Sequence, residues 1–332
     1  MSDRFPERTS CFQGIRLIAL TAIISSHLGV SVLGSARDWV SFFFCVSGFL
    51  IYYKKGQGEA LDNTIQSSVK RGVKYWLSKA CTIFPFWWIV LFAEIVLFKE
   101  KITFDIIRKL LLLQAFIPMP AGSFGSVWFI SAILFCYLLA YPMMYLIKRL
   151  SINYLLFLGG CLAVIYLSVI HVGGRLGDYS LWFSYICPIW RLIEFFYGMM
   201  ICRLLISFSY IKTHSIGAVL FLTILVYLFL IRSGFLDRGS YMFVHLIIIG
   251  LLFMFGGPIF NAIFGNAFLW KLSHYFVYVY LVQDITTRLL SSYISTPIIV
   301  LLTFAIGVIF GFVFEGSKSI ISSIHNCYLT KD

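Results

Sequence analysis

The sequence is short of charge, and shorter still of acid. Among 332 residues there are 14 Asp and Glu against 26 Lys and Arg, so charged residues make up 12% of the chain. That is about half the share of an ordinary soluble domain. With 60% hydrophobic residues, a water-soluble globule would be left with large exposed apolar patches, which soluble proteins avoid. Soluble enzyme folds, disordered chains and secreted disulfide scaffolds are excluded together. None of the eight cysteines forms a C-x-x-C pair, which removes the usual zinc and redox signatures. Most lie in apolar runs, where Cys serves as a small hydrophobe. No His, Glu or Asp spacing matches a known metal site, and the Walker loop that ATP-driven work would need is missing. There is no separate basic domain, so the net charge of +12 does not point to nucleic acid. Nor is there an appended soluble domain, an internal repeat or a low-complexity tract.

What is present is a series of long apolar runs. A helix needs about 20 such residues to cross the hydrocarbon core. Ten runs qualify: 14–34, 38–53, 76–98, 124–147, 153–171, 181–203, 213–231, 241–260, 268–290 and 296–316. They are continuous rather than alternating, which predicts helices and not a barrel. The expected fold is therefore all-α, a polytopic membrane bundle of about ten transmembrane helices forming a single domain over 1–332. The first run contains Arg16 and His27, so it reads as an uncleaved helix and not as a signal peptide. With the N-terminus inside, cytoplasmic segments hold 13 Lys and Arg, or 15 with Lys79 and Arg203, against nine outside. The asymmetry predicts that both termini are cytoplasmic. Four cations in 99–109 run against it and read as a short interfacial stretch. The largest loop, 54–75, and a tail over 317–332 fall on the cytoplasmic side.

With so little outside the bilayer, the chemistry is expected in the bundle or at its mouths. Ionisable groups within spans are costly and mark function. The main ones are Arg16, His27, Glu94, Arg191, Glu194, His274 and Asp284. Arg16 and His27 stand 11 residues apart, which returns them to nearly one helix face after roughly 16 Å of rise. This puts a fixed cation near the cytoplasmic end and an imidazole near mid-membrane. Imidazole is a natural proton acceptor, and guanidinium matches phosphate. The pair fits a long anionic substrate entering from the cytoplasm. It equally fits a snorkelling Arg and a His bonded to a neighbouring helix. Arg191 and Glu194 are spaced i, i+3 and read first as a structural ion pair. Glu94 and Asp284 lie near helix ends, where water or headgroups would meet them. His171, His214 and His245 are taken as non-catalytic, and aromatic clusters such as Trp87-Trp88 as belts or packing.

Several segments carry a family resemblance. Gly14-Ile15-Arg16 with Ser26-His27 resembles the Arg-x10-His first helix of the acyltransferase-3 family of integral-membrane acyltransferases. Phe42-Phe43-Phe44-Cys45-Val46-Ser47-Gly48-Phe49-Leu50 resembles its FF-x-x-SGF-L signature, and Lys79 with Pro85-Phe86-Trp87-Trp88 its basic R-x-x-R-x-x-P-x-x-W stretch. Trp128-Phe129-Ile130 with Tyr137 and Pro142, Arg191-Leu192-Ile193-Glu194-Phe195 with Gly198, and Tyr278 with Tyr280-Leu281 follow in the family's order. The resemblance covers about 14–285 and implies a ten-helix bundle moving an acyl group, usually acetyl from acetyl-CoA, to a carbohydrate hydroxyl. It implies His27 as general base or transient acyl carrier and Arg16 as its catalytic partner. Lys79, Arg71, Lys74 and Ser47 would bind the donor. Arg191, Glu194 and Trp128 would support the site or bind the acceptor. Partners would be the bilayer, acyl-CoA and a carbohydrate, with no bound cofactor, metal or nucleic acid. The location would be the bacterial inner membrane, and the acceptor an O-antigen, capsule or exopolysaccharide or its lipid-linked precursor. Two positions depart from the pattern: Thr82 replaces the second basic residue, and Ile133 stands where many longer members carry an acid. A polysaccharide-precursor transporter, a transferase using another donor such as succinyl-CoA, and a non-catalytic assembly partner are the rival readings.

Overall fold

The structure is a computed structural model that describes residues 9–31, 34–56, 64–101, 103–120, 125–207, 241–255 and 258–329. The described residues are helical almost throughout and contain no strand. In chain order the helices are α1 (Cys11–His27), α2 (Ala36–Gly56), α3 (Ile65–Phe98), α4 (Phe104–Leu110), α5 (Trp128–Arg149) and α6 (Ile152–Gly173). They continue as α7 (Pro188–Ser207), α8 (Tyr241–Phe255), α9 (Pro258–Phe264), α10 (Ala267–His274), α11 (Phe276–Leu290) and α12 (Thr296–Leu329). One 3-10 turn, Gly177–Tyr179, and one π-turn, Trp182–Ile186, join α6 to α7.

Four stretches, Ile65–Phe98, Trp128–Arg149, Ile152–Gly173 and Thr296–Ser317, are long and apolar enough to cross a membrane. The others fall short for physical reasons. α1 has 17 residues. α2 and α7 are long enough, but they carry polar and charged side chains because they are the centre of the bundle and face other helices. Fifteen of the 21 residues of α2 are buried, whereas only Leu155, Gly159, Tyr166 and Gly173 are buried on α6. The apolar remainder of α6, with Phe157 and Val164 well exposed, is the face a lipid chain would cover.

The centre is the crossing of α2 with α7. A methyl group on Gly48 would overlap the carbonyl oxygen of Phe195, and one on Gly198 would overlap the carbonyl oxygen of Cys45. Two backbones this close require glycine on both sides, as small residues allow where helices cross inside a membrane. The glycines of two of the family-like segments are therefore two halves of one contact. Five of the seven described cysteines, Cys45 among them, are buried in this packing as free thiols.

Boundaries differ from the sequence expectation in five places. α1 stops at His27, and the chain turns through Gly29 at φ +80°, well before residue 34. The expected loop 54–75 is helical from Ile65, because the Thr64 hydroxyl accepts the Ser67 amide at 3.2 Å and caps α3. The run 181–203 is divided by the π-turn before Pro188, which starts α7 where its missing N–H costs nothing. The run 268–290 breaks at Tyr275 into α10 and α11. The expected tail is helical to Leu329. The seventh run, 213–231, with His214, lies outside the described residues.

The connections leave one end of the bundle with the C-terminal ends of α1, α3 and α11 and the N-terminal ends of α2, α5 and α7. The other end holds the start of α1 and the close of α2. These two ends carry the polar groups.

Candidate functional site

At the start of α1, Arg16 reaches into a ring of aromatic groups. Its guanidinium lies 5.2 Å from the centre of the Phe276 ring and within the electrostatic range of the Tyr75 and Tyr137 phenols. Tyr75 and Tyr137 meet edge to face at 5.5 Å, and Ser47 is hydrogen-bonded to Tyr137. The Arg16 Nη1 donates to Gln13 at 3.4 Å, while its buried Nε has no partner among the described residues. Lys54 and Lys79 lie in the field of Arg16, with Lys55 beside them. The Lys79 ammonium sits 5.4 Å from the Tyr75 ring. Arg16, Lys54 and Lys79 have no carboxylate partner among the described residues, so like charges face one another at this partly exposed end of the bundle. Such an arrangement costs free energy until an anion arrives.

Of the expected donor-binding residues, the structure gathers Lys79 and Ser47 around Arg16, the expected catalytic partner of His27. Arg71 and Lys74 lie exposed on α3, Arg71 roughly 12 Å of helix rise from Lys79. The signal for Lys54, Tyr75 and Tyr137 was weaker. A loop-end lysine and two tyrosines in apolar runs are ordinary until the fold places them around one arginine.

Rings fill the length of α1 between its two ends. Phe276 packs on Phe43 at 4.8 Å, and Tyr280 on Phe129 at 5.1 Å. The Tyr280 hydroxyl donates to the Ser126 carbonyl at 2.6 Å.

His27 closes α1. Because α1 ends early, the imidazole is the last helical residue, exposed at the mouth of a cavity of about 420 Å³. The cavity is also lined by Glu94, Asp105, Lys109, Ser126, Asp284 and Arg288. Asp284 accepts both the amide and the hydroxyl of Ser126, at 3.0 and 2.7 Å, which fixes the chain just before α5. Glu94 is buried, contrary to its expected contact with water or headgroups. It lies 3.5 Å from Lys109 and 3.3 Å from Arg288. Glu100 meets the same two cations at 3.2 and 2.9 Å. Partial burial alone would raise the Glu100 carboxyl, but hydrogen bonds and charge from Arg288 and Lys109 outweigh it and hold the group below the usual range. The short helix α4 is clamped over this cluster by the indole N–H groups of Trp87 and Trp88. They donate to the carbonyls of Lys109 at 2.6 Å and Leu110 at 3.0 Å. These two tryptophans are thus lid fasteners as well as packing.

Arg191 and Glu194 do pair, as their spacing predicted. Nη1 of Arg191 reaches the two carboxylate oxygens of Glu194 at 2.9 and 2.7 Å. Tyr166 and Ser41 donate to the same carboxylate at 2.6 and 2.9 Å. Both charges are buried, and removing one partner would leave the other uncompensated, at about 3–5 kcal/mol. Trp128 heads α5, and its ring meets Tyr185 at 5.1 Å. His245 is buried and bonded to the carbonyl of Asp38 at 2.7 Å, a packing role. His274 is exposed and pairs with Glu315 at 3.1 Å, away from His27 at the far end of α11. His171 touches Arg175 at 3.0 Å.

A family model described as an acyltransferase domain, that of the acyltransferase-3 family, matches residues 10–315. No curated protein and no solved structure gives a match.

Proposed function

This chain belongs to the acyltransferase-3 family and is a membrane acyltransferase, and from that premise we propose that it is a glycan O-acetyltransferase of the bacterial inner membrane. Acetyl-CoA binds from the cytoplasm at the Arg16 end. The acceptor is a hydroxyl of a surface polysaccharide or its lipid-linked precursor, presented at the His27 end. The whole chain acts as one transmembrane unit with both termini cytoplasmic. The observation that carries this reading is the division of α1. At one end Lys54 and Lys79 lie in the field of Arg16 with no carboxylate partner among the described residues, and at the other an open imidazole lines a polar cavity.

CoA suits that division, because its phosphates lie at one end of a thin arm and its thioester at the other. Arg16, Lys79 and Lys54 neutralise phosphate, Ser47 and Tyr137 back the guanidinium, and the arm runs beside Phe276 and Tyr280. At the mouth, His27 takes the proton of the acceptor hydroxyl. The oxygen attacks the thioester carbon, a C–O bond forms and the C–S bond breaks. The proton then passes from His27 to the departing thiolate. Transient transfer of the acetyl group to His27 itself gives the same net reaction. Asp284, by fixing Ser126, shapes the cavity in which the hydroxyl approaches. The Arg191–Glu194 pair and Trp128 hold the adjoining wall.

The test is the acetyl ester content of surface polysaccharide, read by NMR. Cells would carry the wild-type gene, an empty vector, or His27→Ala at matched membrane level. Ester with wild type alone is the expected result. Equal ester with His27→Ala removes the imidazole from the mechanism. A change in the amount of exported glycan without a change in its acylation replaces the transferase with a transporter.

A further inference from the structure

A second cavity, of about 230 Å³, opens at the same end of the bundle as the His27 cavity. It is walled by the N-terminal turn of α2, the π-turn and the first turn of α7. Trp128 stands between the two cavities. Ser126, two residues before it, lines the first, and Tyr185, against which its ring packs at 5.1 Å, lines the second. The Ser26 hydroxyl accepts the Ala36 amide at 3.0 Å. With consecutive Cα atoms about 3.8 Å apart, that bond keeps the Cα atoms of His27 and Ser35 within roughly 12 Å. His27 lines the first cavity and Ser35 the second.

The chemistry of this second cavity is that of a polyol site. Its four charged side chains are Arg37, Arg191, Asp38 and Glu194, so the formal charges cancel. The Tyr185 ring is covered by the guanidinium groups of Arg37 at 5.8 Å and Arg191 at 4.7 Å. Asp38, 4% exposed, accepts the Ser35 amide through one oxygen at 2.7 Å. The Ser35 hydroxyl bonds to the same carboxylate. Arg191, 2% exposed, leaves its buried Nε–H without a partner. A buried donor left unmade is costly, and here it lines a cavity together with an acceptor and the Ser184 hydroxyl. Vicinal hydroxyls, which donate and accept in turn, answer that set. A carboxylate or phosphate would meet Asp38 and Glu194 and be repelled.

We infer that this cavity is a second sugar subsite, which holds an uncharged sugar residue of the acceptor beside the residue acylated at His27. The inference rests on the transferase reading above. It makes the enzyme a reader of at least a disaccharide and gives Asp38, Arg37 and the Arg191 Nε a role in glycan specificity.

The test uses the full chain, purified in detergent, with acetyl-CoA. Acceptors are fractions of the polysaccharide from the cells that naturally make the protein, de-acylated in mild base and cut to monosaccharides, disaccharides and longer pieces. Wild type is expected to use disaccharides about tenfold better in kcat/KM than monosaccharides, the return on hydrogen bonds to charged partners. Asp38→Asn keeps an oxygen for the Ser35 amide and is expected to reduce that ratio to near one. Arg37→Gln, at the exposed rim, shifts it in the same direction and serves if Asp38→Asn fails to fold. Transfer without any preference for length in wild type, or a preference unmoved by either variant, overturns the subsite. A preference for pieces whose flanking sugar is acidic overturns its neutrality. Transfer to no fraction at all overturns the transferase reading on which it stands.

Discussion

The two ends of α1 treat charge in opposite ways. Around Arg16, Lys79 meets the Tyr75 ring and Lys54 faces Lys79 and Arg16, with no carboxylate partner among the described residues. Around His27, Glu94 and Glu100 each touch both Lys109 and Arg288, so the charges are matched before any ligand arrives. A partly exposed cluster of like charges is unfavourable alone and gains most when a polyanion binds. A matched cluster has little to gain from an ion and instead makes a rigid, polar wall. On the proposed reading, the phosphate-bearing substrate would bind at one end and the sugar at the other.

The largest effect expected on this contrast is loss of chemistry at the His27 end alone. His27→Ala should lower kcat for acetyl transfer about 10²- to 10⁴-fold. Binding of CoA, followed by isothermal titration with the solubilised protein, should hold. A parallel loss of CoA binding would merge the two ends into one site. Next is Arg16→Gln, which should raise KM for acetyl-CoA roughly 10- to 100-fold, the worth of a charged hydrogen bond to phosphate. It should also flatten the dependence of KM on salt. A kcat defect at unchanged KM would place Arg16 in the chemistry. Smaller still is Glu94→Gln, which unbalances the matched cluster and should cost about 1–3 kcal/mol of stability. Thermal unfolding in detergent reads it, and the corresponding shift should be absent for Lys79→Gln, whose cation has no carboxylate partner among the described residues. The least is a pH effect at Glu100. Its native carboxyl lies below the ordinary value, so its contribution is complete above about pH 4.3 and fades as pH falls through the lower native value. Amide exchange in α4 should quicken over that window in wild type and show no such step in Glu100→Gln.

Much of this was legible beforehand, for reasons that can be named. The all-helical fold follows from continuous apolar runs, and the Arg191–Glu194 contact from i, i+3 spacing. The Arg16–His27 division follows from helix rise. What was not legible depended on where helices stop and which ones meet. The exposure of His27 at a helix end is hidden in the sequence because the apolar run continues past it, while the backbone leaves the helix at Leu28 and Gly29. Glu94 was assigned to water because it lies near a helix end. Its partners come from residues 109 and 288, which no local pattern connects to 94. Gly48 and Gly198 were visible as motif residues, but each looks functional alone. Only the crossing of α2 with α7 shows that they are steric requirements of one another.

The length of α1 bears on the bilayer itself. Its 17 residues rise roughly 25 Å, less than the hydrocarbon thickness of about 30 Å. Both its ends are polar, so a bilayer around the bundle would thin beside α1 or water would funnel in from each face. On the proposed reading, the acyl group would then travel less than the thickness of the membrane, and a hydrophilic glycan would meet the thioester without its sugars entering oil.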